Sequence, residues 1–415
     1  MAGELLVIDD GVVFVNGGNG QNTELGRRGK LILADGTRFD GRLVGSGRLP
    51  VWGEVIFNTS MTGYQEILTD PSYAGQIVVM TYPQIGNYGV HVAYGEKDFC
   101  AARALVVREL SPFFSPAPGR RSLESFMVDH GVPGLSDVDT RSLALRVRTD
   151  GAVVGVIGSI DHSDKMLLEM ARTKRFSTGQ HLVDTVSGDL RTEGGVAGRV
   201  AVVDFGVKSS IVSSVGSLGV ETVIIGTHGG GDGSFPVDEL FEMDLDFVVL
   251  SNGPGDPADV PGAVAATREL IGRIPVLGIC LGHQIAALSI GGHTYKLKFG
   301  HRGANQPVIC HRTKRVFVTS QNHGYAVTGD LPAIADGVEI TYTNLNDGTV
   351  EGFRCDDRVL ECVQFHPEAS PGPHDTSFIF QEFFDRVKTR ATGVRSTLPS
   401  EGTAPRERVG DAQTS

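Results

Sequence analysis

The sequence predicts an α/β protein in two parts: a C-terminal domain with a mainly parallel sheet flanked by helices, preceded by a separate β-rich α+β domain. From residue 199 onward, short apolar runs alternate with segments of helical periodicity, as in the βαβ units that form parallel sheets. Before residue 188, short apolar runs are separated by turn residues and by only a few helical segments. Residues 188–198 are rich in Gly, Thr, Glu and Asp, which favours a linker between the two domains.

The N-terminal part, residues 29–187, is organised around short strands joined by turns. The first two form a predicted hairpin, because Asp35-Gly36 supplies the positive φ that a tight turn needs. Strands are predicted at 30–33, 37–44, 54–59, 76–82, 102–109 and 152–157, and helices at 122–130, 139–149 and 164–175. We expect Asp139 to cap the second of these helices. Residues 1–28 show no clear period and are expected to form a poorly ordered leader.

The C-terminal part, residues 199–388, carries the βαβ pattern. Strands are predicted at 199–204, 222–225, 246–251 and 274–279, and helices at 209–218, 237–243, 262–271 and 284–290. Ligands of parallel sheets bind at the carboxyl ends of the strands, where Ser251 and Cys280 fall. The run 228–235, HGGGDGSF, lacks the GK[ST] signature of a phosphate loop and is interpreted as a flexible insertion. Residues 389–415 contain few apolar residues and are expected to be disordered.

Composition argues against several classes of function. A formal net charge of -12 without a basic stretch argues against a nucleic-acid binder. No apolar run approaches the roughly 20 residues that span a bilayer, and the N-terminus lacks the basic region of a signal peptide. The five cysteines are scattered and never form a CxxC pair, so neither a disulfide framework nor a zinc site is indicated. This cysteine usage favours a reducing, cytoplasmic location.

Cys280 lies in PVLGICLGHQ at 275–284, the segment around which the C-terminal domain is organised. The apolar run before the cysteine predicts a buried strand, and the pattern after it predicts a helix. Backbone N–H groups and the helix dipole at such a strand–turn–helix junction favour a thiolate, the nucleophilic form of cysteine. The alternative is a buried thiol that only packs, and the junction alone does not decide between the two.

His366 and Glu368 are the partners that a nucleophilic cysteine needs. They lie in ECVQFHPE at 361–368, and residues two apart in an extended segment face the same way. A histidine can serve as the base, and a carboxylate can hold the imidazole in orientation. A His-Pro-Glu on its own is more typical of a surface turn. Combined with the glycine-flanked cysteine, it predicts a Cys280–His366–Glu368 triad.

The segment LSNGPGDP at 250–257 follows a predicted strand and contains Gly253 and Gly255. Its backbone N–H groups, together with the N–H of Leu281 directly after the cysteine, are candidates for an oxyanion hole. On its own, the segment favours an ordinary strand-to-helix turn.

Three of these motifs together resemble the class I, triad-type glutamine amidotransferases. The motifs are SNGPGDP at 251–257, GICLGHQ at 278–284 and HPE at 366–368. The resemblance implies a flavodoxin-like C-terminal fold. It also implies hydrolysis of the glutamine side-chain amide through a γ-glutamyl thioester, with release of ammonia to a synthetase partner.

Motifs in both halves narrow the resemblance to the small subunit of carbamoyl-phosphate synthase. They are SMTGYQE at 60–66, TYPQIGNYG at 81–89, VDTRSLA at 138–144 and FGHRGANQPV at 299–308. The resemblance covers residues 29–387. It implies a large-subunit partner that uses the ammonia with ATP, magnesium and bicarbonate to make carbamoyl phosphate for arginine and pyrimidine biosynthesis. No cofactor or metal is expected on this chain, and the N-terminal domain is expected to be an interaction module.

The same resemblance implies which residues contact L-glutamine. These are Ser60, Gly253, Gly255, Leu281, Gln284, Asn322, Gly324 and Tyr325. From the residues alone, Ser60 predicts only a helix N-cap, and 322–324 predicts a turn. The sequence departs from the family pattern in three places: Tyr325, where phenylalanine is more usual; the long run 228–235; and Lys208-Ser209-Ser210, which lacks an asparagine often found there.

Two other interpretations remain open on the sequence alone. One is another class I amidotransferase subunit or a freestanding γ-glutamyl hydrolase, and the other is a non-catalytic scaffold for the synthetase. A freestanding hydrolase needs no interaction domain, so the N-terminal motif FNTSMTGYQE argues against it. The presence of Cys280, His366 and Glu368 argues against a scaffold, because lost activity usually shows as a substituted nucleophile.

Overall fold

The structure, a computed structural model, describes residues 5–7, 13–15, 28–174, 182–188 and 191–391. Within the predicted leader it describes one antiparallel pair, β1 Leu5–Val7 with β2 Val13–Val15. The predicted bounds of the leader and the tail are each wrong by a few residues, because a strand begins at Arg28 and residues 389–391 belong to the last helix. The other residues of the leader and the tail from 392 lie outside the described residues. Within the described ranges, every helix is too short or too polar to cross a membrane.

The N-terminal half contains a closed barrel of seven strands. The strands of this half are β3 Arg28–Leu33, β4 Arg38–Gly45, β5 Val51–Asn58, β6 Gln76–Met80, β7 Gln84–Ile85, β8 Ala104–Val106, β9 Glu109–Leu110, β10 Pro133–Ser136 and β11 Val153–Ser159. The barrel order is β10-β4-β3-β11-β5-β6-β8, while β7 and β9 pair separately. Sequence reasoning predicted six of the barrel strands and missed β10. That short strand closes the barrel by pairing with both β4 and β8.

Alternation of side chains along the barrel strands builds two apolar clusters. Ile77 and Val79 of β6 pack into one cluster, and Val78 and Met80 pack into the other. The helices of this half are α1 Tyr64–Thr69, α2 Leu123–Asp129, α3 Thr140–Asp150 and α4 Asp164–Thr173. The predicted cap is confirmed, because Asp139 Oδ1 accepts the N–H of Ser142 at 3.0 Å.

The C-terminal half is a ten-stranded sheet with helices. The strands are β12 Arg191–Glu193, β13 Arg199–Asp204, β14 Glu221–Gly226, β15 Phe247–Leu250, β16 Val276–Ile279, β17 Thr294–Cys310, β18 Val316–Val327, β19 Val338–Asn344, β20 Val350–Cys355 and β21 Leu360–Val363. The helices are α5 Leu182–Val186, α6 Ser209–Gly216, α7 Val237–Glu242, α8 Pro261–Leu270, α9 Leu281–Ser289, α10 Leu331–Ile334 and α11 Phe378–Ala391.

The core of this sheet is five parallel strands in the order β14-β13-β15-β16-β21. This is the 2-1-3-4-5 order of flavodoxin-like folds, which confirms the predicted fold class. The other strands are antiparallel, and the long hairpin of β17 and β18 extends the sheet on one side. Sequence reasoning did not assign that hairpin. Its interpretation of 322–324 as a turn is wrong, because these residues lie within β18.

Two segments predicted to be irregular carry ordered contacts. Within the predicted linker, β12 pairs antiparallel with β14 at the edge of the large sheet. In the predicted flexible insertion 228–235, Phe235 is buried and the carbonyl of Asp232 accepts the N–H of Gly262. The insertion therefore packs against the N-terminus of α8.

The barrel packs against the sheet through polar contacts. The N–H of Thr59 donates to the carbonyl of Arg302 at 3.2 Å, and Lys296 Nζ lies 2.7 Å from Glu54 Oε1. These contacts join β5 and the residue that follows it to β17. They bring residues 54–73 of the N-terminal half to the edge of the sheet that carries Cys280.

Candidate active site

Cys280 occupies a strained position between β16 and α9. Its backbone has φ 55 and ψ -102, and its side chain is buried. Such a conformation is costly for a residue with a side chain and is typical of functional sites. The predicted junction is confirmed, but α9 begins at Leu281 rather than near Gln284. A Cβ at Gly282 would lie 2.2 Å from the carbonyl oxygen of Leu250, so glycine allows α9 to pack closely on β15.

Strand adjacency brings the separated motifs together. Strands β15, β16 and β21 are neighbours, and the N–H of Cys280 donates to the carbonyl of Val363 at 2.9 Å. The segments that follow these strands therefore meet at one edge of the sheet. They carry Asn252 to Asp256 after β15, Cys280 after β16 and His366 after β21.

His366 and Glu368 form a buried hydrogen-bonded pair, with Nδ1 of the imidazole 2.6 Å from Oε1 of the carboxylate. The expected reason for their contact is wrong, because β21 ends at Val363 and a turn follows, closed by the N–H of Ala369 to the carbonyl of His366. Burial alone would lower the pKa of His366, but the carboxylate of Glu368 and the neighbouring Cys280 raise it to about 10.

Cys280 contributes to the raised pKa of His366, so its thiol and the imidazole are neighbours. The Sγ of Cys280 lies 3.8 Å from the carbonyl oxygen of Asn322. Among the described residues, no polar atom hydrogen-bonds Nε2 of His366, which is buried. The imidazole thus has one nitrogen committed to Glu368 and the other available for a proton.

Lys208 contacts Glu368 of the predicted triad, a contact that sequence reasoning missed. Its Nζ donates to Glu368 Oε1 at 2.8 Å and to the carbonyl of Ala369 at 2.6 Å. Burial alone would raise the pKa of Glu368, but Lys208 and His366 hold it at about 2, so the carboxylate is ionised. The sequence did contain a signal for this role, because Lys208 follows the carboxyl end of β13, a parallel strand, and ligands of parallel sheets bind at that end.

A narrow cavity opens beside Cys280. Seven of the eight residues expected to contact glutamine line it: Gly253, Gly255, Leu281, Gln284, Asn322, Gly324 and Tyr325. Ser72 and Gln76 from the barrel side also line it, as do Lys296 and Arg302 from β17. These four were missed, since their own sequence context carries no catalytic pattern.

Ser60 is the exception among the expected glutamine contacts. It is buried, but it is not among the described residues that line the cavity. The helix-cap interpretation of Ser60 is also wrong, because the N-cap of α1 is Gly63. The backbone N–H of Ser60 instead donates to Asn58 Oδ1 at 2.7 Å, which fixes the loop between β5 and α1.

The amide of Gln284 is held in one orientation. Its Nε2 donates to the carbonyl of Tyr325 at 2.9 Å and to Oε1 of Gln364 at 2.9 Å. The amide oxygen is therefore the group that remains for a ligand donor such as an ammonium.

Asp70, a residue of the N-terminal half, contacts residues of the C-terminal half at the site. Its carboxylate accepts from Asn322 Nδ2 at 3.3 Å and from Asn252 Nδ2 at 3.4 Å. The side chain of Asn252 also donates to Ser72 Oγ at 2.8 Å and accepts the N–H of Lys208 at 3.1 Å. One carboxylate from the barrel side thus connects the segment after β15 with β18.

A buried cluster of His301, His323 and Glu351 has ligand atoms within 4.8 Å of one another. Its ring nitrogens are already engaged, His301 with Asp347 at 2.8 Å and His323 with the carbonyl of Tyr325 at 2.8 Å. A metal ion would have to displace these hydrogen bonds. The cluster acts as a polar network that supports the hairpin of β17 and β18.

Comparisons with known proteins agree with this architecture. A family model described as carbamoyl-phosphate synthase small chain, CPSase domain, matches residues 31–157, and one described as glutamine amidotransferase class-I matches residues 201–386. The carbamoyl phosphate synthase small chain of Syntrophotalea carbinolica is 42% identical over 374 residues, covering 86% of this chain and 97% of that protein. This chain belongs to the carbamoyl-phosphate synthase small-chain family.

Two further relatives carry the same name. The small chain of Methanopyrus kandleri is 45% identical over 86% of this chain and 98% of its own. That of Methanocaldococcus jannaschii is 43% identical over 87% of this chain and 99% of its own. The small-chain family model, which matches residues 31–157, covers the barrel strands from β3 to β11. The amidotransferase match covers the sheet strands from β13 to β21.

Proposed function

We propose that this chain is the glutamine-hydrolysing small chain of a carbamoyl-phosphate synthase. It hydrolyses glutamine to glutamate and ammonia and passes the ammonia to a large chain for carbamoyl phosphate synthesis, which serves arginine and pyrimidine biosynthesis. The observation that carries the proposal is Cys280, strained at the N-terminus of α9, beside the buried His366–Glu368 pair. Family membership supports the identity of the ammonia acceptor.

The nucleophile in this proposal is the thiolate of Cys280. Nε2 of His366 takes the thiol proton, and the raised pKa of His366, about 10, favours the resulting imidazolium. Glu368 is ionised, and it holds the imidazole through Nδ1 at 2.6 Å. The N-terminus of α9 adds a favourable dipole for the thiolate.

Acyl transfer then proceeds in two halves. The thiolate attacks the side-chain carbonyl carbon of glutamine, and the carbon–nitrogen bond breaks as His366 returns its proton to the leaving ammonia. The product on the enzyme is a γ-glutamyl thioester of Cys280. Water, deprotonated by His366, attacks the thioester, and glutamate leaves as the proton returns to the thiolate.

The developing oxyanion is stabilised by backbone N–H groups of Leu281 and of the segment around Gly253. The backbone at Gly253 packs closely against Phe205, since a Cβ at Gly253 would lie 2.3 Å from the carbonyl oxygen of Phe205. This close packing holds the segment in place and supports that role. The amino-acid end of glutamine binds Gln284, Asn322, Gly324 and Tyr325, and Gly255 also lines the cavity. Ser60 joins this set by resemblance alone.

The partner in this proposal is the large chain, and the working unit is a heterodimer in the cytoplasm. ATP and magnesium bind the large chain, and this chain needs no cofactor, metal, nucleic acid or membrane for its half-reaction. The scattered cysteines support a reducing compartment. The barrel supplies the docking surface for the large chain. Ammonia travels inside the complex from this chain to the large chain.

The test is ammonia and glutamate release from glutamine, measured for the full chain alone and with the large chain. Cys280→Ser is expected to abolish glutamine hydrolysis, while the complex keeps carbamoyl phosphate synthesis from added ammonium. Cys100→Ser, a change at a half-buried cysteine of the N-terminal half, is the matched control and should behave as wild type. Normal hydrolysis by Cys280→Ser would falsify the nucleophile assignment.

A further inference from the structure

Glu96 is a buried carboxylate from the N-terminal half that reaches the start of α6. It is 2% exposed, and its oxygens accept the backbone N–H of Ser210 at 3.0 Å and the hydroxyl of Ser210 at 2.9 Å. Ser210 belongs to the segment whose missing asparagine set this sequence apart from the family pattern. In this chain the hydroxyl of Ser210 donates to a carboxylate of the other half.

Lys208 connects Glu96 to the triad. Its Nζ lies 3.7 Å from Glu96 Oε1 and 2.8 Å from Glu368 Oε1, and all three side chains are at most 3% exposed. A buried cation held between two carboxylates has its position and its charge shared by both. The result is a continuous line of charged groups from Glu96 through Lys208 and Glu368 to His366.

We propose that Glu96 is a positioning residue for the triad, acting on Glu368 and His366 through Lys208. The inference rests on the proposed glutaminase function and deepens it, because it makes the N-terminal half part of the catalytic machinery and more than a docking module. Glu96 offsets part of the positive charge of Lys208, so less of that charge opposes the imidazolium that Glu368 stabilises.

The charged and titratable groups around Lys208 and the predicted triad come from both halves. They are Glu66, Asp70 and Glu96 on the N-terminal side, and Cys280, His366 and Glu368 on the C-terminal side. Removing the charge of Glu96 makes this group of residues more positive. That change disfavours the imidazolium and favours the thiolate, so both limbs of the pH–rate profile should move to lower pH.

The experiment is the pH dependence of glutamine hydrolysis by the full chain, alone and with the large chain, for wild type and Glu96→Gln. We expect kcat to fall on the order of tenfold and the alkaline limb of kcat/KM to move down by about half a pH unit. Glu361→Gln is the matched control, since Glu361 is also a buried carboxylate in an ion pair, 3.0 Å from Arg386, but lies outside the site. It should leave the profile in place.

A double-mutant cycle tests the route through Lys208. If Glu96 acts through Lys208, then Glu96→Gln should have little further effect on kcat in a Lys208→Met background. Additive effects of the two substitutions would overturn the proposed route.

Ser210→Ala tests the same contact without changing charge, and it guards against a Glu96 variant that does not fold. It removes a hydroxyl donor from Glu96, so we expect kcat to fall by about two- to fivefold with no shift of the pH limbs. Wild-type kcat in both Glu96→Gln and Ser210→Ala overturns the inference while leaving the proposed function intact. Absence of hydrolysis by the wild type, with and without the large chain, contradicts the proposed function itself.

Discussion

Lys208 and His366 bind the same oxygen of Glu368, at 2.8 Å and 2.6 Å respectively. One carboxylate oxygen thus lies between an ammonium group and an imidazole, all three of them buried. Buried charges are tolerated only when they are paired and hydrogen-bonded. The arrangement explains why Glu368 stays ionised and can hold His366 in one orientation.

Replacing Lys208 with methionine is expected to damage both activity and stability. The change leaves the buried Glu368 without its cation, which costs roughly 3–5 kcal/mol of unfolding free energy. We also expect kcat for glutamine hydrolysis to fall on the order of a hundredfold, since the carboxylate loses its anchor. Urea unfolding and steady-state kinetics measure the two effects.

The control for this variant is Lys388→Met, since Lys388 pairs with Asp246 at 2.7 Å near the surface. A half-exposed pair of this kind contributes at most about 1 kcal/mol. Equal losses of stability in the two variants would contradict the account of Lys208.

Gly253→Ala tests the close approach in the segment after β15. The added Cβ would lie 2.3 Å from the carbonyl oxygen of Phe205 and 2.8 Å from Cδ2 of Leu281, so the segment must shift. Displacement of an oxyanion donor is expected to lower kcat by roughly a hundredfold or more. Gly216→Ala, where the new Cβ meets no atom within 4 Å, is the control and should retain wild-type kcat.

Ser60→Ala tests the contact that the resemblance implies but the cavity lacks. We expect KM for glutamine to rise several-fold with kcat little changed, because the hydroxyl would add binding that is equal in ground and transition states. The backbone bond from Ser60 to Asn58 survives the substitution, so the fold should persist. An unchanged KM would remove Ser60 from the glutamine site.

His283, on α9 beside the nucleophile, should make stability depend on pH. It is fully buried against the ring of Phe353 at 4.9 Å, and burial lowers its pKa to about 3. The unfolded chain, with a histidine pKa of about 6.5, binds this proton first as pH falls. Stability therefore decreases between pH 6.5 and 3, by about 1.4 kcal/mol per pH unit from this residue.

The measurement for this prediction is urea unfolding at pH 7 and pH 5 for wild type and His283→Leu. Wild type should lose about 2 kcal/mol more than the variant between these two pH values. The same loss in both proteins would mean that His283 is not the titrating group.

Prediction from the sequence succeeded where the signal is local. The strand at 199–204 agrees with β13 to the residue, and the cap at Asp139 is where the pattern indicated. It failed where pairing is distant. β10 is only four residues long, and the hairpin of β17 and β18 is rich in polar side chains that bind one another inside the fold. The periodicity of a short segment does not show which distant strand or side chain it will contact.

The sequence by itself determined the reactive residue types and their surroundings along the chain. A cysteine between a buried strand and a helix, with a His-Pro-Glu after another strand, limits the chemistry to a thiol with a base and a carboxylate. Whether these residues act as a catalytic triad stays a prediction. The contact of His366 with Glu368, however, is present in the fold, formed by a turn and not by an extended strand.

The tertiary structure alone decided which distant residues share that site. Strand order placed β16 beside β21, and barrel packing placed Asp70 and Glu96 against Asn252 and Ser210. The physical reason is burial. An ionised group in a dry interior needs a partner of opposite charge or a hydrogen-bond donor, and that partner can come from any part of the chain. Lys208, an ordinary lysine in the sequence, is therefore a central charge of the site in the fold.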